Sequence, residues 1–172
     1  DEFKDIFTQE LMTQIQGVYF CGNFGDPILN NDLIPMIEYL SQHAPHLVVN
    51  VHTNGGARNV EWWRSLAKAL PKNHNVCFGL DGLTDTLHIY RIGVNYENVI
   101  KNAKAFIDAG GRAEWAFIKF KHNEHQEEEA RRIAKELKFT TFTLKNSSRF
   151  LGEPKYRVID KTGETTRSEE RR

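Results

Sequence analysis

Small polar and charged residues collect directly after the apolar runs of this sequence. Gly22-Asn23-Phe24-Gly25-Asp26-Pro27 follows the first run, Thr53-Asn54-Gly55 the second, and Asp81-Gly82, with Arg91 ten residues on, the third. Lys121-His122-Asn123 follows the fourth. Glycine lets backbone approach a ligand, and a carboxylate such as Asp26 accepts a bond from an ammonium or hydroxyl. Thr53 and Asn54 suit a ribose or an amino acid, and Arg91 offers a planar fork to a carboxylate. The chemistry suggested is recognition of a small zwitterionic or nucleoside ligand.

These residues need a scaffold that brings strand ends together. The apolar runs are Gly17 to Cys21, Leu47 to Val51, Val76 to Leu80, Ala113 to about Lys121, and Phe139 to Leu144. Amphipathic helical patterns alternate with them, with Asn31 and Asn95 as cap candidates and Gly110-Gly111 as a helix stop. Repeated βαβ units around a parallel sheet follow, at a pitch of about 30 residues. A partial barrel and an open doubly wound sheet both satisfy the pattern, and both bind ligands at the carboxyl ends of their strands.

Composition narrows the function classes. The chain has 172 residues, 40% hydrophobic and 27% charged, enough for one ordinary core. Lys plus Arg and Asp plus Glu both number 23, so no net field favours nucleic acid or an anionic membrane surface. Only two cysteines occur, Cys21 and Cys77, and no apolar run is long enough to span a bilayer, which makes a cytoplasmic location the expectation. Both cysteines lie in apolar runs and are expected to be buried and inert. His52, His88, His122 and His125 lack a metal-binding pattern, so no metal ligand is assigned. Trp62 and Trp63 are expected to place one ring on the sheet and the other over the helix edge.

In order and position, the strand-end motifs resemble those of the radical S-adenosylmethionine superfamily, especially its peptide- and protein-modifying branch. That family carries a Gly-Gly-Glu-Pro-like segment, then Thr-Asn-Gly, then Ser-x-Asp-Gly with a downstream His-Asp-x-x-Arg-Gly. Here Gly25-Asp26-Pro27 resembles the first, Thr53-Asn54-Gly55 matches the second, and Gly79-Leu80-Asp81-Gly82 with His88 to Gly93 resembles the third. The similarity runs from about Val18 to Leu144.

The resemblance implies an α/β fold, a partial (β/α)6 TIM-like barrel. Family strands two to six would be present, with the first strand and its Cys-x3-Cys-x2-Cys cluster loop missing. It also implies that a four-iron, four-sulfur cluster, with ligands outside this chain, reductively cleaves S-adenosylmethionine to a 5′-deoxyadenosyl radical that abstracts hydrogen from a small-molecule or peptide substrate. An electron donor such as flavodoxin or ferredoxin would be the partner. The expected cofactor wall is Gly22, Asn23, Gly25, Asp26, Pro27, Thr53, Asn54, Asp81, Arg91 and Asn123, with Lys119 and Lys121 as further wall residues. Asp26 and its turn would hold the methionine amino group, and Arg91 the carboxylate. Asp26 stands for the family's Glu and Gly79 for its Ser.

Residues 1 to 145 are expected to form the barrel core and 146 to 172 a linker or frayed tail, since the end is too polar to pack. The N-terminus reads as cut and uncapped, with the cluster loop just upstream. On that expectation the chain alone does not catalyse the reaction. A cluster-free half-barrel that binds a nucleoside or small anion is the alternative.

Overall fold

The structure is a computed structural model that describes residues 2–22, 24–146, 158–159 and 165–166. Two short helices open it, α1 (Glu2–Ile6) and α2 (Gln9–Gln14). The Thr8 hydroxyl caps α2 by accepting from the Leu11 amide at 3.3 Å, so the stretch read as uncapped carries a cap.

Five strands follow: β1 (Gly17–Phe20), β2 (Val48–Thr53), β3 (His74–Gly79), β4 (Ala113–Lys119) and β5 (Thr141–Asn146). Between them come α3 (Leu33–His43), α4 (Val60–Ala69), α5 (Leu87–Tyr90), α6 (Tyr96–Asp108) and α7 (Glu127–Glu136). All neighbouring strands are parallel, and their order is β1-β2-β3-β4-β5. A doubly wound sheet reverses direction at a switch point and carries helices on both faces. Sequential order with right-handed crossovers instead puts every connecting helix on one face and curls the sheet one way, as in a partial TIM-like barrel. The open alternative is thereby removed.

Strand alternation decides which residues face the helices. Val49, Val51, Val76, Phe78, Trp115 and Phe117 are all buried in one core with Trp63, Leu66, Val99 and Phe106 of the helices. The Trp63 ring lies 5.1 Å from Phe78, and Trp62 meets it edge-on at 5.2 Å, the division of labour expected for the pair. The intervening residues Tyr19, His52, Cys77, Gly79, Ala116 and Lys145 therefore face the concave side. Cys21 is exposed, contrary to expectation, because β1 stops at Phe20 and leaves it in the loop beyond the strand.

Local capping differs in detail from the sequence pattern. Asn95 caps α6 through a 2.8 Å bond from the Asn98 amide, and Gly110 ends that helix at φ +94°. Asn31 does not cap α3; Asp32 occupies that position, held by Asn30 Oδ1, which accepts from the Asp32 amide at 2.8 Å. Glu127, Glu129, Arg131 and Arg132 form the expected ion pairs along α7. Val158–Ile159 (β6) and Thr165–Thr166 (β7) pair antiparallel within the stretch expected to be a tail. The rest of 147–172 lies outside the described residues.

His74 at the start of β3 is held in one neutral tautomer. Its Nε2 accepts from the Arg112 amide at 2.9 Å, which leaves Nδ1 to donate to the Pro71 carbonyl at 2.6 Å. Burial lowers its pKa below the ordinary 6.5, with a smaller push from Arg112 and opposition from the Pro71 carbonyl. Unfolding frees this group to protonate, so its stabilisation is complete above pH 6.5 and is lost as pH falls from there through the folded pKa. In urea titrations the midpoint should drop between pH 7.5 and pH 5.5, and His74→Gln should flatten that drop. An unchanged slope in the variant would refute the assignment.

Candidate functional site

The residues that carry the strand-end motifs tie the loop after β1 to the loop after β2, and the loop after β3 to β4. Asp26 caps a short 3-10 turn, Pro27–Leu29, with Oδ1 accepting from the Ile28 amide at 3.2 Å. Its Oδ2 accepts from the Asn54 amide at 2.7 Å, so a single carboxylate bridges two loops. Thr53 Oγ1 accepts from the Gly55 amide at 2.9 Å and Asn54 Oδ1 from the Gly56 amide at 2.8 Å, closing the second loop on itself. Arg58 clamps the same region from behind. It donates from Nε to the Ile28 carbonyl at 2.6 Å and from Nη2 to Leu29 O at 2.9 Å and Asn31 Oδ1 at 2.8 Å.

Asp81 is wholly buried and fully engaged. Its Oδ2 takes Arg91 Nε at 2.7 Å and Nη2 at 2.7 Å, while Oδ1 takes the Ile118 amide at 2.6 Å. Burial raises the Asp81 pKa, and the Arg91 guanidinium and the Ile118 amide oppose that rise. Gly79 makes the pair possible, because a Cβ there would stand 2.5 Å from Arg91 Nη2. Where the resembled family has Ser, this chain has left room for a guanidinium.

Together these groups line one cleft of about 330 Å³ at the carboxyl ends of the strands. Gly22, Gly25, Asp26, Thr53, Asn54, Asp81 and Arg91 all reach it. Pro27 sits in the 3-10 turn outside the lining, and Asn23 lies outside the described residues. Asn123 is buried under the loops instead. Its Nδ2 donates to the Asp81 and Ile118 carbonyls, each at 2.9 Å, and its Oδ1 accepts from the Phe120 amide at 2.7 Å. Lys119 is paired with Glu127 at 2.8 Å, and neither it nor Lys121 lines the cleft.

The lining also includes Gly79 of the third motif, together with His52, Cys77, Ala116, Ile118 and Lys145, which motif reading did not assign to the site. Period-two alternation along β2 and β3 carries the signal for His52 and Cys77. Burial, with a smaller contribution from the Lys145 charge, lowers the His52 pKa. Burial, aided by Glu114, pushes the Cys77 thiol up to about 11, which makes it a poor nucleophile.

With this geometry in place, likeness to solved structures identifies the fold. Streptococcus suis SuiB superposes at a TM-score of 0.63 with 22% identity, covering 77% of this chain and 30% of its own. SuiB bound to S-adenosylmethionine gives 0.61 and 21%, over 75% of this chain and 29% of that one. Native anSMEcpe with bound AdoMet and Kp18Cys peptide gives 0.69 and 16%, over 92% of this chain and 47% of that one. The chain shares their fold. It spans less than half the length of either protein. No family model matches it, and no curated relative does.

An iron-sulfur cluster does not fit the described residues. Among them no three His, Cys, Asp or Glu side chains are placed to hold a metal, and Cys21 is exposed while Cys77 is buried. An amino-acid nucleoside fits better. The cleft size lies within the range for small-molecule sites. Asp26 retains acceptor lone pairs beyond its two backbone bonds, and Arg91 is 29% exposed at its side chain. Among the described residues no helix is long and apolar enough to cross a membrane.

Proposed function

We propose that the cleft binds S-adenosylmethionine and that the chain forms the cofactor wall of a radical S-adenosylmethionine enzyme acting on a peptide. The observation that carries this reading is the convergence of Asp26, Asn54, Asp81 and Arg91 on one cleft. That cleft belongs to a fold shared with proteins solved with S-adenosylmethionine and with peptides bound. Asp26 and the turn from Gly22 would take the methionine ammonium. The outer edge of Arg91, directed by Asp81, would take the carboxylate, and Thr53 and Asn54 would flank the ribose. Reductive cleavage of the sulfonium and hydrogen abstraction from substrate would be supplied by a cluster and an electron donor, flavodoxin or ferredoxin, outside the described residues. What this chain contributes is orientation of the ligand and exclusion of water around it.

Titration calorimetry tests the binding step. Saturable heat with S-adenosylmethionine is expected, and Asp26→Asn should weaken it at least tenfold, since the amide keeps one acceptor, for the Asn54 amide, gives up the longer bond from the Ile28 amide and loses the charge that attracts an ammonium. Arg131→Ala, remote on α7, should leave it unchanged. No heat, or equal heat with Asp26→Asn, would refute the pocket. Equal affinity for adenosine alone would favour a nucleoside-binding module over the cofactor site.

A further inference from the structure

Lys145 stands apart from the other charged residues of the cleft. Asp81 and Arg91 neutralise each other across 2.7 Å, and Asp26 sits at the β1 end, held by two backbone amides. Lys145 lies at the opposite end of the curled sheet, on β5, paired in register with Ile118 of β4. Phe142, three residues earlier, packs at 6.0 Å against both Trp115 and Phe117 on the helix side. Alternation therefore sends Lys145 to the concave side, where it lines the cleft beside His52 and Cys77. Its ammonium makes no hydrogen bond or ion pair among the described residues, although its charge reaches Asp81, and Glu114 acts with opposite sign on the same His52 and Cys77. Glu114 instead accepts from Asn75 Nδ2 at 2.9 Å, lower in the sheet.

We infer that Lys145 is a specificity-determining residue that receives an anionic oxygen group of the substrate, a carboxylate or a phosphate, at the β5 side of the cleft. This rests on the cofactor reading above, in which the β1 to β3 side holds S-adenosylmethionine and leaves the β5 side for the second reactant. Lys145 is solvent-exposed at the rim of the cleft, without a hydrogen bond or ion pair among the described residues, so its ammonium is available to an anion that enters the cleft. A substrate lacking the anion leaves that charge without a partner, which is what discriminates between the two.

His52 reports on occupancy. It faces Tyr19 edge-on at 5.8 Å and Cys77 across the β2–β3 register, and it feels Lys145 and Glu114 of opposite sign. An anion on Lys145 screens the positive charge and moves the His52 pKa upward, as does removal of the charge in Lys145→Gln. The experiment is an NMR titration of the His52 ring in the full chain between pH 5 and 8. The probes are N-acetyl-glutamate amide, its glutamine analogue and inorganic phosphate. A saturable upward move of a few tenths with glutamate or phosphate, absent with glutamine and absent in Lys145→Gln, is the expected result. Whichever anion saturates at lower concentration names the source. No response in the native chain, or an equal response in Lys145→Gln, overturns the inference.

Calorimetry separates it from the cofactor reading. Lys145→Gln should bind S-adenosylmethionine within twofold of the native chain, and a tenfold loss would make Lys145 part of the cofactor wall and overturn its assignment to substrate. An anion response without any S-adenosylmethionine heat would sink the cofactor reading while leaving the anion site standing.

Discussion

Arg91→Ala should lower the unfolding free energy by about 3 kcal/mol, because it leaves a buried carboxylate without its counter-charge. Asp81 is 0% exposed and receives two of its three bonds from Arg91. The arginine is 29% exposed at its side chain, which places the loss at the lower end for a broken buried pair. Urea unfolding at pH 7 measures it, with Arg132→Ala on α7 as the exposed comparison, expected to unfold at the native midpoint. The deficit has a pH signature. Without the guanidinium the folded carboxyl pKa rises further, so the variant takes up a proton as pH falls through that value and the gap to the native chain narrows. A loss below about 1 kcal/mol at pH 7 would mean that the pair is wet and the cleft floor is not fixed by it.

Asn123→Ala should cost about as much, roughly 3 kcal/mol, by a different route. The side chain bonds the carbonyls of Asp81 and Ile118 and the amide of Phe120, the first and last of these bonds buried and the Ile118 bond part-buried, and truncation removes all three bonds. The result decides between two roles for this residue. As a strut it lowers the melting temperature by several degrees, while S-adenosylmethionine affinity, measured below the melt, changes less than threefold. As a wall residue it would do the reverse. The structure supports the strut, since Asn123 stands behind Asp81 and outside the lining.

Arg91 and Asn123 show how far motif reading reaches. Both were singled out as polar residues after a strand, and residue type and spacing treat them alike. One offers its outer edge to the cleft and the other is sealed beneath it, a difference set by which carbonyls lie within 3 Å once the β3 and β4 loops are folded together. Asp26 is intermediate. Its position after β1 was legible, but its bond to the Asn54 amide, 28 residues away, depends on β1 and β2 being neighbours. Arg58 had no motif at all, and its backbone at φ +67° with three bonds across the loop is a purely tertiary feature.

The sequence by itself determined the alternation of strands and helices, the strand ends at which polar residues gather, and the resemblance that names a ligand. Those follow from hydrophobic period and local turn chemistry, which act over a few residues. Tertiary structure decided the rest: the one-way strand order that makes a partial barrel, the exposure of Cys21, the concave placement of His52 and Lys145, and the burial of Asn123. Each depends on which segments become neighbours across the sheet, and side-chain facing and satisfaction of buried polar groups are properties of neighbours that a single run of residues does not carry.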